Sequence, residues 1–426
     1  MQNEMKDSGI EWIKKIPKTW DITILSALFS ERKCKNTGMI EHNLLSLSYG
    51  NVVRKSIETK EGLLPASFEN YNIVEPGNIV FRLTDLQNDK RSLRTGLCKE
   101  RGIITSAYVT LQIRSNDSAR YMHYLFHAYD LCKVFYGMGD GVRQGMNYED
   151  LKRLRILRPD QETQCRIADY LDHKCNQIDT IIVRQQEVIE KLKAYRLSVI
   201  SEAVTKGLDP NVPMKDSGVE WIGKIPEHWI LNKLKYLSLD IGDGIHATPT
   251  YDVEGKVYFV NVNNIGDDYL VFKEDTNTIS ETELALYKLP LLTENTVFIT
   301  LNGATYGKTS FYHGEKVLLG KSAGFITLKP NENKEFVRYY LQSYTAKLIM
   351  DLSLLGSTIA NLSLRTLRDF MIPYPPIEEQ MQIVHYLNNK TSSIDAAIFK
   401  KKKIIDKLID YKKSLIYEVV TGKKAV

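Results

Sequence analysis

The chain has 426 residues, 43% hydrophobic and 26% charged, with 57 basic and 52 acidic side chains for a net charge of +5. This suits two to four ordinary cores at roughly 100–200 residues per domain, and it excludes a disordered or collagen-like chain. No apolar run approaches the roughly 18 residues of a membrane helix, the start lacks a signal-peptide stretch, and five cysteines without a C-x-x-C pair argue against a disulfide framework or zinc ribbon. The expectation is a cytoplasmic chain with no membrane association.

In chain order, Met5–Trp20 reads MKDSGIEWIKKIPKTW and returns as MKDSGVEWIGKIPEHW at Met214–Trp229, twelve of sixteen positions identical. A second match runs at an offset of 216: Pro159, Gln164, Ile167, Leu171, Ile178 and Asp179 recur as Pro375, Gln380, Ile383, Leu387, Ile394 and Asp395. The chain is an internal duplication. The repeats frame two stretches that barely resemble each other, which gives segments 1–20 (framework), 21–158 (first variable domain), 159–206 (long helix), 207–229 (linker and repeated segment), 230–373 (second variable domain) and 374–426 (second long helix).

In the first variable domain, Leu44–Tyr49, Gly77–Leu83 and Gly102–Ile113 read as strands and Ala119–Phe135 as a helix. Glu162–Lys206 contains no Gly or Pro, so the spacing predicts one long helix, stopped by Gly207 and Pro210. Apolar residues recur at sevens: Leu171, Ile178, Leu192 and Val199 on one row, Ile181, Val188 and Tyr195 on the next. In the second copy, strands are expected at Val257–Val262, Thr296–Leu301 and Gly324–Leu328, a helix at Glu335–Leu352, and a long helix from Ile377 to Thr421. Its rows are Leu387, Ile394, Leu408 and Leu415, then Ala397, Ile404 and Tyr411. Such rows indicate a coiled coil. The fold expected is α+β, with two pseudo-repeated domains on two long helices packed antiparallel, and with the polar interruptions Gln185 and Lys401 meeting. The N-terminal copy of the repeated segment is expected to occupy the place beyond the second helix, giving circular pseudo-symmetry.

Charge is uneven. Residues 21–158 hold 20 basic and 15 acidic side chains, whereas residues 230–373 hold 14 and 16. Nucleic-acid affinity comes largely from phosphate neutralisation, so the first domain fits a DNA binder better than the second. In the first domain Arg82, Lys90, Arg91, Arg94, Lys99 and Arg101 crowd together with Thr84, Gln87 and Asn88, a composition suited to reading base edges. A solvated charged loop explains the same run. Arg143 and Gln144 in a Gly-rich loop are a second candidate pair. In the second domain the candidate DNA contacts are His246, Thr248, Tyr251, Asn263, Asn302, Tyr306 and Lys308, although Asn-rich turns are common without any ligand. The Gly307-Lys308-Thr309 run lacks the first glycine of a phosphate loop, since Asn302 stands there. His123 and His127 share a helix face without the glutamate of a metalloprotease, and Pro159-Asp160 with Asp172 and Lys174 only imitates a nuclease pattern. No catalytic residue, metal or cofactor is expected.

The duplicated KDSGxEWIxxIPxxW segment, the Pro-x-x-Glu-x-Gln-x-x-Ile start of each long helix, and the helix-ending Val204-Thr205 and Val420-Thr421 together resemble the specificity subunit of Type I restriction-modification enzymes. Ile104-Thr-Ser-Ala-Tyr108 and Gly244-Ile-His-Ala-Thr-Pro249 look like segments of that family's target-recognition domains. The resemblance covers essentially the whole chain. It implies a non-catalytic reader of double-stranded DNA, each variable domain taking one half of a split target. The helices would act as ruler and as platform for two methyltransferase subunits, with restriction subunits joining through the complex. Two alternatives remain at this point: a coiled-coil scaffold with protein-binding inserts, or a DNA nuclease or methyltransferase in its own right.

Overall fold

The computed structural model describes residues 4–57, 65, 67–84, 86, 93–138, 145–353 and 362–426. The chain forms two compact units, Met1–Gln185 with Lys403–Val426, and Gln186–Lys402. The boundary thus cuts through both long helices.

Each copy of the repeated segment is a short hairpin, Met5–Asp7 pairing with Lys15–Pro17 and Met214–Asp216 with Lys224–Pro226. Its shared residues have local tasks. Asp7 and Asp216 accept from the backbone N–H of Gly9 and Gly218, at 2.8 and 2.9 Å. Both glycines have left-handed φ values, +61° and +72°, which cost glycine nothing for want of a Cβ.

The first unit then builds a four-stranded antiparallel sheet from β1 (Phe29–Glu31), β2 (Ile79–Phe81), β3 (Thr95–Leu97) and β4 (Val109–Ile113), in the order β1-β4-β2-β3. Helix α1 (Ala119–Leu131) follows, capped by the Ser118 side chain, and then α2 (Gln161–Lys206). The second unit repeats the plan with β5 (Ser238–Asp243), β6 (Thr296–Thr300), β7 (Thr309–Phe311) and β8 (Ala323–Leu328), in the order β5-β8-β6-β7. The helix expected over Glu335–Leu352 is two, α3 (Lys334–Leu341) and α4 (Tyr344–Ser353). They break at Ser343, whose hydroxyl accepts from the Ala346 N–H and so starts a new helix. The last element is α5 (Ile377–Val420).

The long helices begin and end by repeated chemistry. Gln164 and Gln380 are buried, and each side-chain amide donates to the carbonyl of the proline five residues back, Pro159 or Pro375, at 2.9 Å. Gly207 and Gly422 end the helices in left-handed conformation, as C′ glycines do. In the second unit a Cβ on Gly207 would meet the Trp229 ring at 3.4 Å, so that copy of the hairpin covers the end of α2. In the first unit Gly422 lies against Pro17 and Trp20, and the Tyr417 hydroxyl donates to the Trp12 carbonyl at 2.8 Å. The N-terminal hairpin therefore covers the end of α5, as circular pseudo-symmetry requires.

Within each unit the helices run antiparallel. The Tyr121 hydroxyl lies 3.3 Å from the carbonyls of both Leu157, just before α2, and Val420, at the end of α5. In the second unit Glu379, in the first turn of α5, reaches Trp229 Nε1 and the Gly207 turn. Each unit also holds one copy of the same ion pair: Lys412 to Asp179 at 2.7 Å, and Arg196 to Asp395 at 3.1 Å. One expectation is corrected. Only one heptad row is core: Leu171, Ile178 and Val199 are buried, whereas Ile181, Val188, Tyr195, Ile404 and Tyr411 are exposed. A helix paired with a single partner buries a single seam.

Candidate nucleic-acid interface

In the first unit the basic cluster divides. Lys90 and Arg91 lie outside the described residues, as do Gln87, Asn88, Arg143 and Gln144. Arg82 is half-buried on the turn after β2, its backbone N–H donating to the Arg94 carbonyl at 2.8 Å. Arg94 itself is 0% exposed. Its guanidinium donates to the Thr84 carbonyl at 2.7 Å and stacks on the Tyr136 ring, with the centroid 5.5 Å away. Its backbone N–H donates to the buried Asp130 carboxylate. Arg94 is a core residue, which corrects its expected place on a reading surface.

Lys99 is exposed beyond β3. Arg101 is half-exposed and bridges Glu41 at 3.0 Å and Glu75 at 3.1 Å, so its charge is already answered by two carboxylates. The Glu41 carboxyl is held below its ordinary value, first by the Asn43 backbone N–H and also by Arg101. The residues of the imitated nuclease pattern have structural partners: Asp160 accepts from the Thr163 N–H at the start of α2, and Asp172 accepts from Arg120 and from the Tyr124 hydroxyl.

In the second unit β5 leads into the Gly-rich loop. Gly244 is required there, because a Cβ would sit 2.0 Å from the Leu319 carbonyl oxygen. The exposed His246 imidazole lies 2.9 Å from Asp243, and Thr248 and Tyr251 are also exposed. The Tyr251 ring packs against Phe259, with centroids 5.7 Å apart. Asn263 is exposed on a 3-10 turn, while its neighbour Asn264 is buried and uses its side chain to close that turn. Asn302 is half-buried at the end of β6.

Tyr306 and Lys308 come together in a polar cleft of about 570 Å³. The Tyr306 hydroxyl donates to Asp351, and Lys308 pairs with Asp267 at 3.3 Å. His246, Thr248, Tyr251, Asn263 and Asn302 do not line this cleft. Three cationic side chains that do were not singled out from sequence: Arg196, Arg338 and Lys347. Arg338 is nearly buried, 2.7 Å from Asp268 and 4.6 Å above the centre of the Phe311 ring. The signal for it lies in the repeat, since Arg338 replaces Met122 of the first copy, a charge where the duplicate has a core methionine. Chemically the cleft sets Lys308, Arg338 and Arg196 against Asp267, Asp268 and Asp395, with Lys347 and the Tyr306 and Thr309 hydroxyls beside them.

The family model of the Type I restriction modification DNA specificity domain matches residues 247–407. The MjaVIII specificity subunit of Methanocaldococcus jannaschii is 25% identical over 418 residues, 96% of this chain and 94% of the relative. The chain is thus similar to specificity subunits of Type I restriction enzymes, in the matched domain and along most of its length. The EcoBI specificity subunit of Escherichia coli is 22% identical over 299 residues, 67% of this chain and 62% of the relative. Among solved structures, a chain of a type I R-M system aligns at a TM-score of 0.69 with 15% identity, covering 96% of this chain and 99% of its own. The HsdS subunit of Thermoanaerobacter tengcongensis aligns at 0.51 with 15% identity, covering 96% and 98%. At these identities the structures speak for the fold of this chain, not its contacts. Among the described residues no helix is long and apolar enough to cross a membrane.

Proposed function

We propose that this chain is the DNA-recognition subunit of a Type I restriction-modification complex, itself non-catalytic, with each variable domain reading one half of a bipartite target. The observation that carries the reading is the pairing of sameness and difference. One sheet order, one helix ending and one interhelical ion pair occur in both units, while the sequences of the two variable stretches barely resemble each other. A duplicated mount with unlike surfaces suits two half-sites read separately, and the helix pair sets the unread spacer as dimer geometry does in other readers. Apolar side chains left exposed on the long helices, Ile404 and Tyr411 in the first unit and Tyr195 and Phe399 in the second, support docking of two methyltransferase subunits. Restriction subunits join through that complex, in the cytoplasm. The DNA contacts we assign are Arg82, Lys99, Arg101, Lys90, Arg91, Arg143 and Gln144 in the first domain. In the second they are His246, Thr248, Tyr251, Asn263, Asn302, Tyr306 and Lys308.

The test is a map of methylated bases across the host genome with and without this gene. A split motif that vanishes on deletion is expected, and exchanging residues 230–373 changes one half of it only. A purified subunit that binds bipartite DNA no better than scrambled competitor, at any salt concentration, overturns the reading in favour of a scaffold.

A further inference from the structure

The first unit contains a cleft of about 1470 Å³ between α1, the β3 region and the two long helices, larger than the 300–1,000 Å³ typical of small-molecule sites. Its apolar lining includes Leu93, Leu97, Ile409 and Ile416. The floor is polar. His123 and His127 project from α1 with ring centroids 6.2 Å apart, and His123 Nδ1 is buried with no hydrogen-bond partner among the described residues. A neutral imidazole has one donor and one acceptor nitrogen to satisfy, so this atom calls for a partner inside the cleft. Lys99 and Lys413 stand at the rim.

The duplicate shows what a satisfied version of this place is. In the second unit the position of His123 is Tyr339, whose hydroxyl donates to Asn388 at 2.6 Å and lies 3.3 Å from Thr391. The corresponding residues in the first unit, Asp172 and Cys175, do not close on His123, because Asp172 is held by Arg120 and the Tyr124 hydroxyl. One copy is therefore sealed by a tyrosine network and the other presents an open apolar chamber with an unsatisfied imidazole. Both imidazoles are held neutral at pH 7 by burial, His123 pushed down to about 4 and His127 to about 3, each lowered further by cationic or imidazole neighbours.

We infer that this cleft binds a small aromatic anion, its ring against the apolar lining, a polar atom on His123 Nδ1 and its negative group toward Lys99. The site shares Lys99 with the proposed DNA surface; its readout is ligand titration without DNA, so its failure is distinguishable from failure of the DNA reading.

The probe is 8-anilinonaphthalene-1-sulfonate, an aromatic sulfonate, titrated into the full-length subunit by equilibrium dialysis and fluorescence. One saturable site per chain is expected, with a dissociation constant of order 10 µM. His123→Tyr, which copies the second unit, is expected to weaken it at least tenfold with unchanged circular dichroism and melting temperature. Lys99→Glu, at an exposed position, is expected to weaken it several-fold and guards against a folding defect in the first variant. Non-saturable binding, or one-to-one binding that neither substitution weakens, overturns the proposal.

Discussion

Arg94→Met separates a core role from a reading role. The substitution keeps an apolar stem of similar length and removes the guanidinium. The side chain is wholly buried. It loses a charged hydrogen bond to the Thr84 carbonyl, worth about 1.5–3 kcal/mol, and a desolvated stack on Tyr136, worth about 1–2 kcal/mol. The expected loss is therefore about 3–4 kcal/mol. In a unit of roughly 200 residues each kcal/mol shifts the melting temperature by about 2–4 °C, so a fall of about 6–16 °C is expected. Calorimetry on the full chain reads the shift. Electrophoretic mobility shifts below the new transition read DNA affinity, which is expected within twofold of wild type. A variant that melts within 1 °C of wild type and loses tenfold or more in DNA affinity would refute the reasoning, because Arg94 would then act at the surface.

Lys308→Ala, at the polar cleft, removes one phosphate-seeking cation, so the slope of log affinity against log salt is expected to fall in magnitude by about 0.9; an unchanged slope places Lys308 off the DNA. The buried imidazoles give a pH signature. Their folded values lie below the ordinary 6.5, so the unfolded chain takes up protons first and stability, complete above about pH 6.5, declines as pH falls toward 4. The decline is about 1 kcal/mol per pH unit for each imidazole, and urea melts of His127→Leu between pH 7 and 5 should lose about half of it. The repeated ion pairs are half-exposed. Double-mutant cycles on Asp179 with Lys412 and on Asp395 with Arg196 are expected to give couplings of about 0.2–1 kcal/mol each, and a coupling above 2 kcal/mol contradicts their placement.

The parts legible in the sequence are those whose cause is local. Both long helices were readable within a residue or two, because absence of Gly and Pro, a glycine stop and a seven-residue rhythm act over a turn or two of chain. The duplication was legible because Gln164 and Gln380, and Asp7 and Asp216, serve contacts that recur in both copies. The break at Ser343 was missed, since a serine within a helical pattern caps or continues according to what surrounds it.

The candidate interface was less legible for a physical reason. A run of arginines and lysines looks alike whether it faces solvent or the core, and only distant residues decide. Arg94 is drawn inside by Tyr136 and by Asp130, 36 residues away in sequence, and Arg338 by Asp268 and Phe311. The same holds for the seam of the long helices, where two apolar rows compete and the partner helix selects one. The sequence by itself determined that this chain is built twice, on two long helices, with a small positive charge gathered in its first half. Only the tertiary structure decided which of those charges stay at the surface, because burial is a property of the assembled neighbours, not of the residue or its local run.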